Sequence, residues 1–253
     1  MKSLLAGLLT LAAALPARAD LQLLEGSLGV GLYALESPLG RSAELLLQLP
    51  EQIDGWAPVP LHLRVLKAGV ESIHLLTEGD ESEELGRFEL GAAVRPDLMA
   101  RYRSGGESGI RVEARTAKRL LSMRRSYRTV TTLAAPESSS PPSDTAASAQ
   151  LRLQAYRDSQ GLTYVRLAGM PPLVESVQHP ERLWQQTPRV DGFELLDGRE
   201  QLLVRAELSE AMARQPYLRF VIEGLAEGDT LYLRWNNREG ESGELSVAVG
   251  SVE

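Results

Sequence analysis

The sequence predicts an all-β protein built from two immunoglobulin-like antiparallel β-sandwich domains. Segments that alternate apolar and polar residues recur along the chain, and turn-forming residues separate them at short spacing. Residues 134–149 (AAPESSSPPSDTAASA) are too poor in large apolar side chains to build a core. We therefore predict a Ser/Pro/Ala linker at 133–149 between domains at 20–132 and 150–253. The alternative is a long surface loop inside one domain.

The N-terminus has the features of a signal peptide. Lys2 precedes an apolar run from Leu4 to Leu15, and Ala17-Arg18-Ala19 fits an A-x-A cleavage site. Residues 1–19 are therefore predicted to be removed, so that the mature chain begins at Asp20 and is periplasmic. A buried N-terminal helix or an uncleaved anchor are the alternatives.

Alternating segments in the first half predict a series of short strands, and a run of leucines predicts a helix at 41–49. The expected strands are Pro60–Leu66, Ser72–Leu76, Arg87–Leu90, Gly109–Arg115 and Ser126–Val130.

The second half repeats this pattern. Asp197-Gly198 predicts a two-residue hairpin, residues 236–240 predict another turn, and residues 209–214 predict a short helical stretch. The expected strands are Leu162–Leu167, Gly192–Leu196, Gln201–Ala206, Tyr217–Ile222, Thr230–Trp235 and Leu245–Val249.

Composition excludes several classes of function. The chain contains no cysteine, which rules out disulfides, thiolate nucleophiles and thiolate metal sites. Its net charge of −7 disfavours nucleic-acid binding, because a basic excess is needed to displace counterions from phosphate. An apolar content of 43% is too high for a disordered chain.

No pattern in the sequence predicts an enzyme, a cofactor or a metal site. His62, His74 and His179 lack ligand spacing, and no G-x-S-x-G elbow is present. We expect core or surface roles for these histidines.

One basic segment is a candidate docking surface for a periplasmic partner. Arg115, Arg119, Arg124 and Arg128 lie in a locally positive strip of a net-negative chain, which would attract an acidic protein. Trp184 lies between predicted strands and is a candidate interface anchor. The alternatives are a solvated or edge-protecting strand face for the arginines, and packing at a sandwich end for Trp184.

Both halves resemble known families. The second half resembles SoxZ through the segments Gln215–Phe220, Gly228–Trp235 and Asn237–Gly240, whereas Met170–Ser176 matches an early SoxZ motif only in part. The first half resembles SoxY through Ile73–Gly79, Arg87–Gly91 and the strands up to Val130.

The resemblance implies a SoxYZ-like fusion on a periplasmic scaffold that carries sulfur-oxidation intermediates. In that family a cysteine on a Gly-rich arm of SoxY binds the substrate. The corresponding place here holds neither Cys nor Gly; its residues are Leu133, Ala134, Ala135 and Pro136. The expectation is therefore a non-catalytic accessory protein, linked to sulfur oxidation or to a quinoprotein dehydrogenase system and unable to carry sulfur covalently. The alternative is an immunoglobulin-like adhesion or assembly module unrelated to sulfur metabolism.

Overall fold

Alternating burial along short strands dominates the structure, a computed structural model. It describes residues 40–41, 44–54, 58–78, 82–104, 109–130, 150–170, 189–214 and 216–251. The first half contributes ten strands: β1 (Gly40–Arg41), β2 (Leu45–Gln48), β3 (Gln52–Asp54), β4 (Pro58–Val65), β5 (Val70–Glu78), β6 (Glu84–Leu90), β7 (Val94–Arg103), β8 (Gly109–Thr116), β9 (Leu120–Ser126) and β10 (Arg128–Val130).

The second half contributes eight strands and one short helix. They are β11 (Gln150–Arg157), β12 (Thr163–Met170), β13 (Gly192–Leu196), β14 (Leu202–Leu208), α1 (Glu210–Ala213), β15 (Tyr217–Ile222), β16 (Thr230–Asn236), β17 (Ser242–Ala248) and β18 (Gly250–Ser251). Ser209 precedes α1, and its backbone carbonyl accepts hydrogen bonds from the Met212 and Ala213 amides.

Two eight-stranded sheets are present among the described residues. The first sheet has the order β1-β2-β4-β7-β15-β12-β11-β18, and the second has the order β17-β16-β13-β14-β6-β5-β8-β9. A separate pair joins β10 to β3 in parallel. Within the sheets the pairing is antiparallel except at β11 and β18. The prediction of an all-β chain with immunoglobulin-like antiparallel sandwich sheets is confirmed.

Both sheets run across the two halves of the chain. In the first sheet β7 pairs with β15, with Leu218 opposite Ala100. In the second sheet β6 pairs with β14, with Ala206 opposite Phe88. The described strands accordingly group into one compact unit. Two separate sandwich domains were predicted, and the structure joins the two halves of the chain by backbone hydrogen bonds within shared sheets. The predicted linker at 133–149 lies outside the described residues, so the domain limits stay a prediction.

The facing sides of the sheets form one hydrophobic core. Phe220 on β15 lies between Phe88 on β6 and Phe193 on β13, with ring centroids 6.1 Å away in each case. Phe220 is 3% exposed, and Phe88 is fully buried. Aromatic rings at such distances favour tilted contacts and bury a large apolar area. This triad therefore links both layers and both halves.

Two local predictions were wrong. The helix expected at 41–49 is replaced by β1 and β2, because Leu45, Leu47 and Leu49 are buried with a period of two, which fits a strand. The Asp197-Gly198 hairpin does connect β13 to β14, but its loop is longer than two residues, since the Asp197 amide bonds to the Gln201 carbonyl. The short helix expected at 209–214 is confirmed by α1.

Three turns in the second half share one hydrogen-bond pattern. They begin at Asp158, Asp197 and Asn237, and in each the first residue's amide donates to the carbonyl four residues later. The side chain of that first residue accepts from the amides two and four residues on. The fourth residue has a positive φ in all three: 82° at Gly161, 59° at Glu200 and 87° at Gly240.

Candidate functional site

The two sheets differ strongly in charge. The six central strands of the first sheet (β2, β4, β7, β15, β12 and β11) contain a single acidic residue, Asp97. The same strands carry His62 and a large set of arginines: Arg64, Arg95, Arg101, Arg103, Arg152, Arg157, Arg166 and Arg219. In the second sheet acids and bases are balanced; for example, Arg205 pairs with Glu89 and Glu194, and Arg234 pairs with Glu200 and Glu244. A protein of net charge −7 thus concentrates positive charge on one sheet.

Strand alternation places much of this charge on the side away from the core. Because successive side chains point to opposite faces, the buried apolar positions of β4, β7 and β15 leave His62, Asp97 and Arg219 on the outer face. We call the outer face of these strands the arginine face. It is defined by Arg64, Arg101, Arg152, Arg166 and Arg219.

Asp97 contacts three side chains on this face: two arginines and one histidine. Arg64 Nε donates to Asp97 Oδ2 at 2.7 Å, and His62 Nε2 lies 2.8 Å from Oδ1. Arg219 Nη2 lies 3.7 Å from the same Oδ1. Burial would raise the pKa of Asp97, but hydrogen bonds and charges from His62 and Arg64 outweigh it and lower that pKa to about 2. Asp97 is therefore ionised at neutral pH and neutralises one side of the face.

Arg101 and Arg166 are not held in this way. The guanidinium carbon of Arg101 lies 4.3 Å from the centre of the Tyr217 ring. Arg166 Nε donates to Gln154 Oε1 at 2.9 Å, and its Nη2 donates to the same oxygen. Burial and the positive charge of Arg166 lower the pKa of Arg101, which the neighbouring Tyr217 partly offsets. The side chains of Arg101 and Arg166 are both half-buried.

Tyrosine rings complete the face. The rings of Tyr156 and Tyr164 stack across β11 and β12, with centroids 5.2 Å apart and planes at 12°. The guanidinium of Arg219 lies 5.3 Å from the centre of the Tyr164 ring. Aromatic faces attract guanidinium groups and hold their planes. Arginine planes packed on tyrosines are suited to binding planar or oxygen-rich anions.

The predicted basic strip is only partly available for docking. Arg119 forms an ion pair with Glu44, and Arg124 lies 3.2 Å from Glu78. Arg115 is exposed at the end of β8, and Arg128 is exposed on β10. The strip therefore spans β8, the β8–β9 turn, β9 and β10 rather than one continuous strand. Its docking role stays a prediction.

Several predicted residues lie outside the described part of the chain. These are the degenerate carrier-arm positions Leu133, Ala134, Ala135 and Pro136, together with Trp184 and His179. Of the other histidines, His62 belongs to the Asp97 network and His74 is half-buried on β5. Within the described residues no group of three His, Asp or Glu side chains could hold a metal ion. The same residues include no helix long and apolar enough to cross a membrane.

The arginine face was missed by the sequence analysis. Its residues come from β4, β7, β11, β12 and β15, which are distant in sequence, whereas the predicted basic strip is one continuous segment. A signal was nevertheless present in the sequence. The segments 94–103, 150–170 and 217–222 contain many arginines and only two acidic residues, Asp97 and Asp158. Grouping charge by strand would have pointed to this sheet.

Comparisons with known proteins do not identify a family. No protein-family model matches the chain, and neither does any curated protein. Among solved structures, murine CEACAM1b is similar at 12% identity and a TM-score of 0.27. The alignment covers 81% of this chain and 100% of the CEACAM1b chain. A marsupial T cell receptor is 10% identical over 80% of this chain and 100% of its own, with a TM-score of 0.24.

A glycosyl hydrolase family 2 member from Bacteroides cellulosilyticus DSM 14838 is also similar. It is 9% identical over 82% of this chain and 29% of its own, with a TM-score of 0.24. Scores this low carry no argument about function, and the architecture of this chain rests on its own strand pairing.

Proposed function

We propose that this chain is an exported, non-catalytic binding protein that holds a negatively charged ligand on its arginine face. The observation that carries the proposal is the charge of the first sheet, where eight arginines accompany the single acid Asp97 in six strands. Solvated charge on a protein surface is normally mixed in sign. A sheet face that carries five arginines and a single acid on a protein of net charge −7 is therefore best explained by an anionic ligand, which it would also attract from a distance.

The chemistry of the face supports binding. Arginine presents a rigid fork of N–H donors that matches carboxylates and other oxyanions, and its charge persists at any physiological pH. Contacts with the rings of Tyr217 and Tyr164 restrain the guanidinium groups of Arg101 and Arg219. Restrained donors lose less side-chain entropy when an anion binds.

The resemblance to SoxY and SoxZ supplies the cellular setting that we propose. On that basis the protein is an accessory component beside periplasmic sulfur oxidation or a quinoprotein dehydrogenase. It would act non-covalently, because the chain has no cysteine and a hydroxyl or methyl group cannot form the thiosulfonate bond.

Anion binding is tested with the mature chain, residues 20–253, and a fluorescent hexa-aspartate peptide. We expect binding that weakens steeply with salt, since exposed charges are screened over about 10 Å at 0.1 M. Removing two charges from the arginine face in Arg64→Gln/Arg152→Gln should weaken binding by about tenfold. The matched control Arg205→Gln/Arg234→Gln removes the same charge from the second sheet and should bind like wild type. Equal losses in both double variants, or no binding by wild type, would overturn the proposal.

The non-covalent setting has its own test. Incubation with thiosulfate, sulfide or polysulfide, followed by intact-mass analysis, should show the unmodified chain. A variant with Ala134→Cys and glycines on either side tests the scaffold, since recovery of a sulfur adduct in the presence of sulfur-oxidation enzymes would place the chain with that system. A stable adduct on the cysteine-free protein would contradict the argument.

A further inference from the structure

Two half-buried arginines on the arginine face lack the counter-charge that Arg64 and Arg219 have. Asp97 pairs with Arg64 and Arg219 and is hydrogen-bonded to His62. Arg101 and Arg166 form no ion pair with a carboxylate among the described residues; Arg101 stacks on Tyr217, and Arg166 bonds to the neutral side chain of Gln154. Both are half-buried. Partly desolvated cations without a paired anion are costly, so this arrangement needs a compensating partner.

Arg101 and Arg166 lie on the same sheet face, on strands that only β15 separates. Arg166 lies directly across from Arg219 in the pairing of β12 with β15, and Tyr217 two residues along β15 is the residue on which Arg101 stacks. Thus β15 alone separates the strands that carry the two arginines. Their mutual repulsion is felt by Arg101, whose pKa is lowered first by burial and then by the charge of Arg166.

We propose that Arg101 and Arg166 form a clamp for one small oxyanion, resting on the anion-binding role proposed above. Arg166 uses its Nε and Nη2 on Gln154, which fixes the plane of the guanidinium and leaves the Nη1 edge available. The guanidinium carbon of Arg101 lies 4.3 Å over the Tyr217 ring, a contact that leaves N–H groups able to donate to a ligand. Two N–H edges from different strands can bind the separate oxygens of a carboxylate or of a tetrahedral oxyanion such as sulfate.

Burial argues for a small group at this position. Tyr217 and Arg219, which lie between the two arginines, are each only 6% exposed. The residues between the two arginines are therefore shielded from solvent, unlike Arg64 at 46% side-chain exposure. A single anionic group suits such a shielded position better than a broad protein surface does, and binding it would offset the positive charge of the two arginines.

The test is thermal unfolding of the mature chain in sodium sulfate, sodium acetate and sodium chloride at matched ionic strength. A saturable rise in Tm with sulfate or acetate beyond that in chloride is expected, because a ligand that binds only the folded state stabilises it. The sulfate and acetate arms distinguish a tetrahedral from a planar oxyanion. Arg101→Gln and Arg166→Gln should each raise the apparent Kd by at least about tenfold.

Control variants separate ligand binding from a structural role. Arg205→Gln removes the same charge from the second sheet and should keep the wild-type response. In chloride alone the Tm of Arg101→Gln and of Arg166→Gln should be no lower than that of wild type, because each substitution relieves the repulsion between the two arginines. Arg101→Lys keeps the charge but loses the paired N–H donors of the guanidinium, so it should still bind the oxyanion more weakly than wild type. An equal drop in Tm in every salt would show a purely structural role and overturn the clamp.

The outcomes distinguish failure of the clamp from failure of the proposed function. If wild type binds hexa-aspartate but shows no saturable response to sulfate or acetate, the clamp is wrong and the broader anion-binding role survives. If neither probe binds, both proposals fail. A response to sulfate and acetate that survives in both arginine variants would place the oxyanion elsewhere and overturn the clamp.

Discussion

The rings of Phe88 and Phe220 lie 6.1 Å apart, although Phe88 comes from the first half of the chain and Phe220 from the second. Phe220 also contacts Phe193. One side chain on the first sheet therefore contacts second-sheet strands from both halves of the chain. Combined with the pairing of β7 with β15 and β6 with β14, this contact makes the two halves one folding unit.

Truncating Phe220 should therefore destabilise the whole protein. Loss of a buried phenylalanine ring costs about 3–5 kcal/mol, so Phe220→Ala should lower the free energy of unfolding by that amount. Urea unfolding should show a single transition in wild type and in the variant. The control Leu66→Ala, at a side chain 57% exposed, should change stability by about 0.5 kcal/mol or less. Two transitions, only one of which shifts, would show that the halves fold separately.

Cleavage of the predicted linker should not separate the halves. A protease that cuts between Ser138 and Ser148 should yield two fragments that elute together on size exclusion, because two antiparallel strand pairs and the shared core still join them. Preferred cutting inside residues 192–235 would contradict the domain boundary. Separate elution of the fragments would contradict the joint role of the shared sheets.

Strand alternation made most of the sheet predictable. The strands Tyr217–Ile222 and Gly192–Leu196 appear with the expected bounds. By contrast β7 was missed, because Pro96 and Asp97 interrupt its apolar pattern; the structure places them at a register shift between β7 and β15, where a proline amide is not needed. That same irregularity carries Asp97, which organises the arginine face.

The arginine face depends on which strands become neighbours, and local pattern does not determine that. Arg101 and Arg166 are 65 positions apart in the sequence and approach only because β15 inserts between β7 and β12. The pairing of strands from different halves is a long-range property of the fold. Charge composition per strand is a local property, and it was available in the sequence.

Stability should fall at acid pH partly through Asp97. Its pKa is about 2 in the folded protein against an ordinary value of 3.8. The unfolded chain therefore binds more protons between these values, and the contribution of Asp97 is present above pH 3.8 and is lost as the pH falls towards 2. The shift corresponds to about 2 kcal/mol.

Comparing variants isolates this contribution from that of Asp191 and Glu210, whose pKa values are also lowered. Burial raises the pKa of Asp191, but hydrogen bonds and charges from Arg189 and Arg238 outweigh it. The pKa of Glu210 is lowered chiefly by its hydrogen bond with Arg214. Asp97→Asn should be destabilised at pH 7, and the loss of stability between pH 5 and pH 2 should be smaller than in wild type by about 2 kcal/mol. Urea unfolding at each pH measures both quantities. An exposed control, Glu227→Gln, should keep the wild-type slope, and an unchanged slope in Asp97→Asn would contradict the role of this network.

Glu200 has a left-handed backbone conformation at a turn position where the two equivalent turns have glycine. It has a φ of 59° in the turn after Asp197, whereas Gly161 and Gly240 fill the same place in the turns after Asp158 and Asn237. A side chain in the left-handed region costs about 1 kcal/mol, and the exposed ion pair of Glu200 with Arg234 returns less than that. Glu200→Gly should therefore stabilise the protein by about 0.5 kcal/mol, after allowing for the greater freedom of glycine in the unfolded chain.

The reverse substitution is the matched test of this explanation. Gly240 has a φ of 87° and no atom within 4 Å of the place where a Cβ would lie, so that backbone conformation alone penalises a side chain there. Gly240→Glu should lower the free energy of unfolding by about 1 kcal/mol in urea. If Glu200→Gly is destabilising while Gly240→Glu behaves as expected, the Glu200–Arg234 ion pair contributes more than the backbone strain costs. If neither substitution changes stability, positive φ is not costly in this turn, and the shared side-chain cap of Asp158, Asp197 and Asn237 alone sets its conformation.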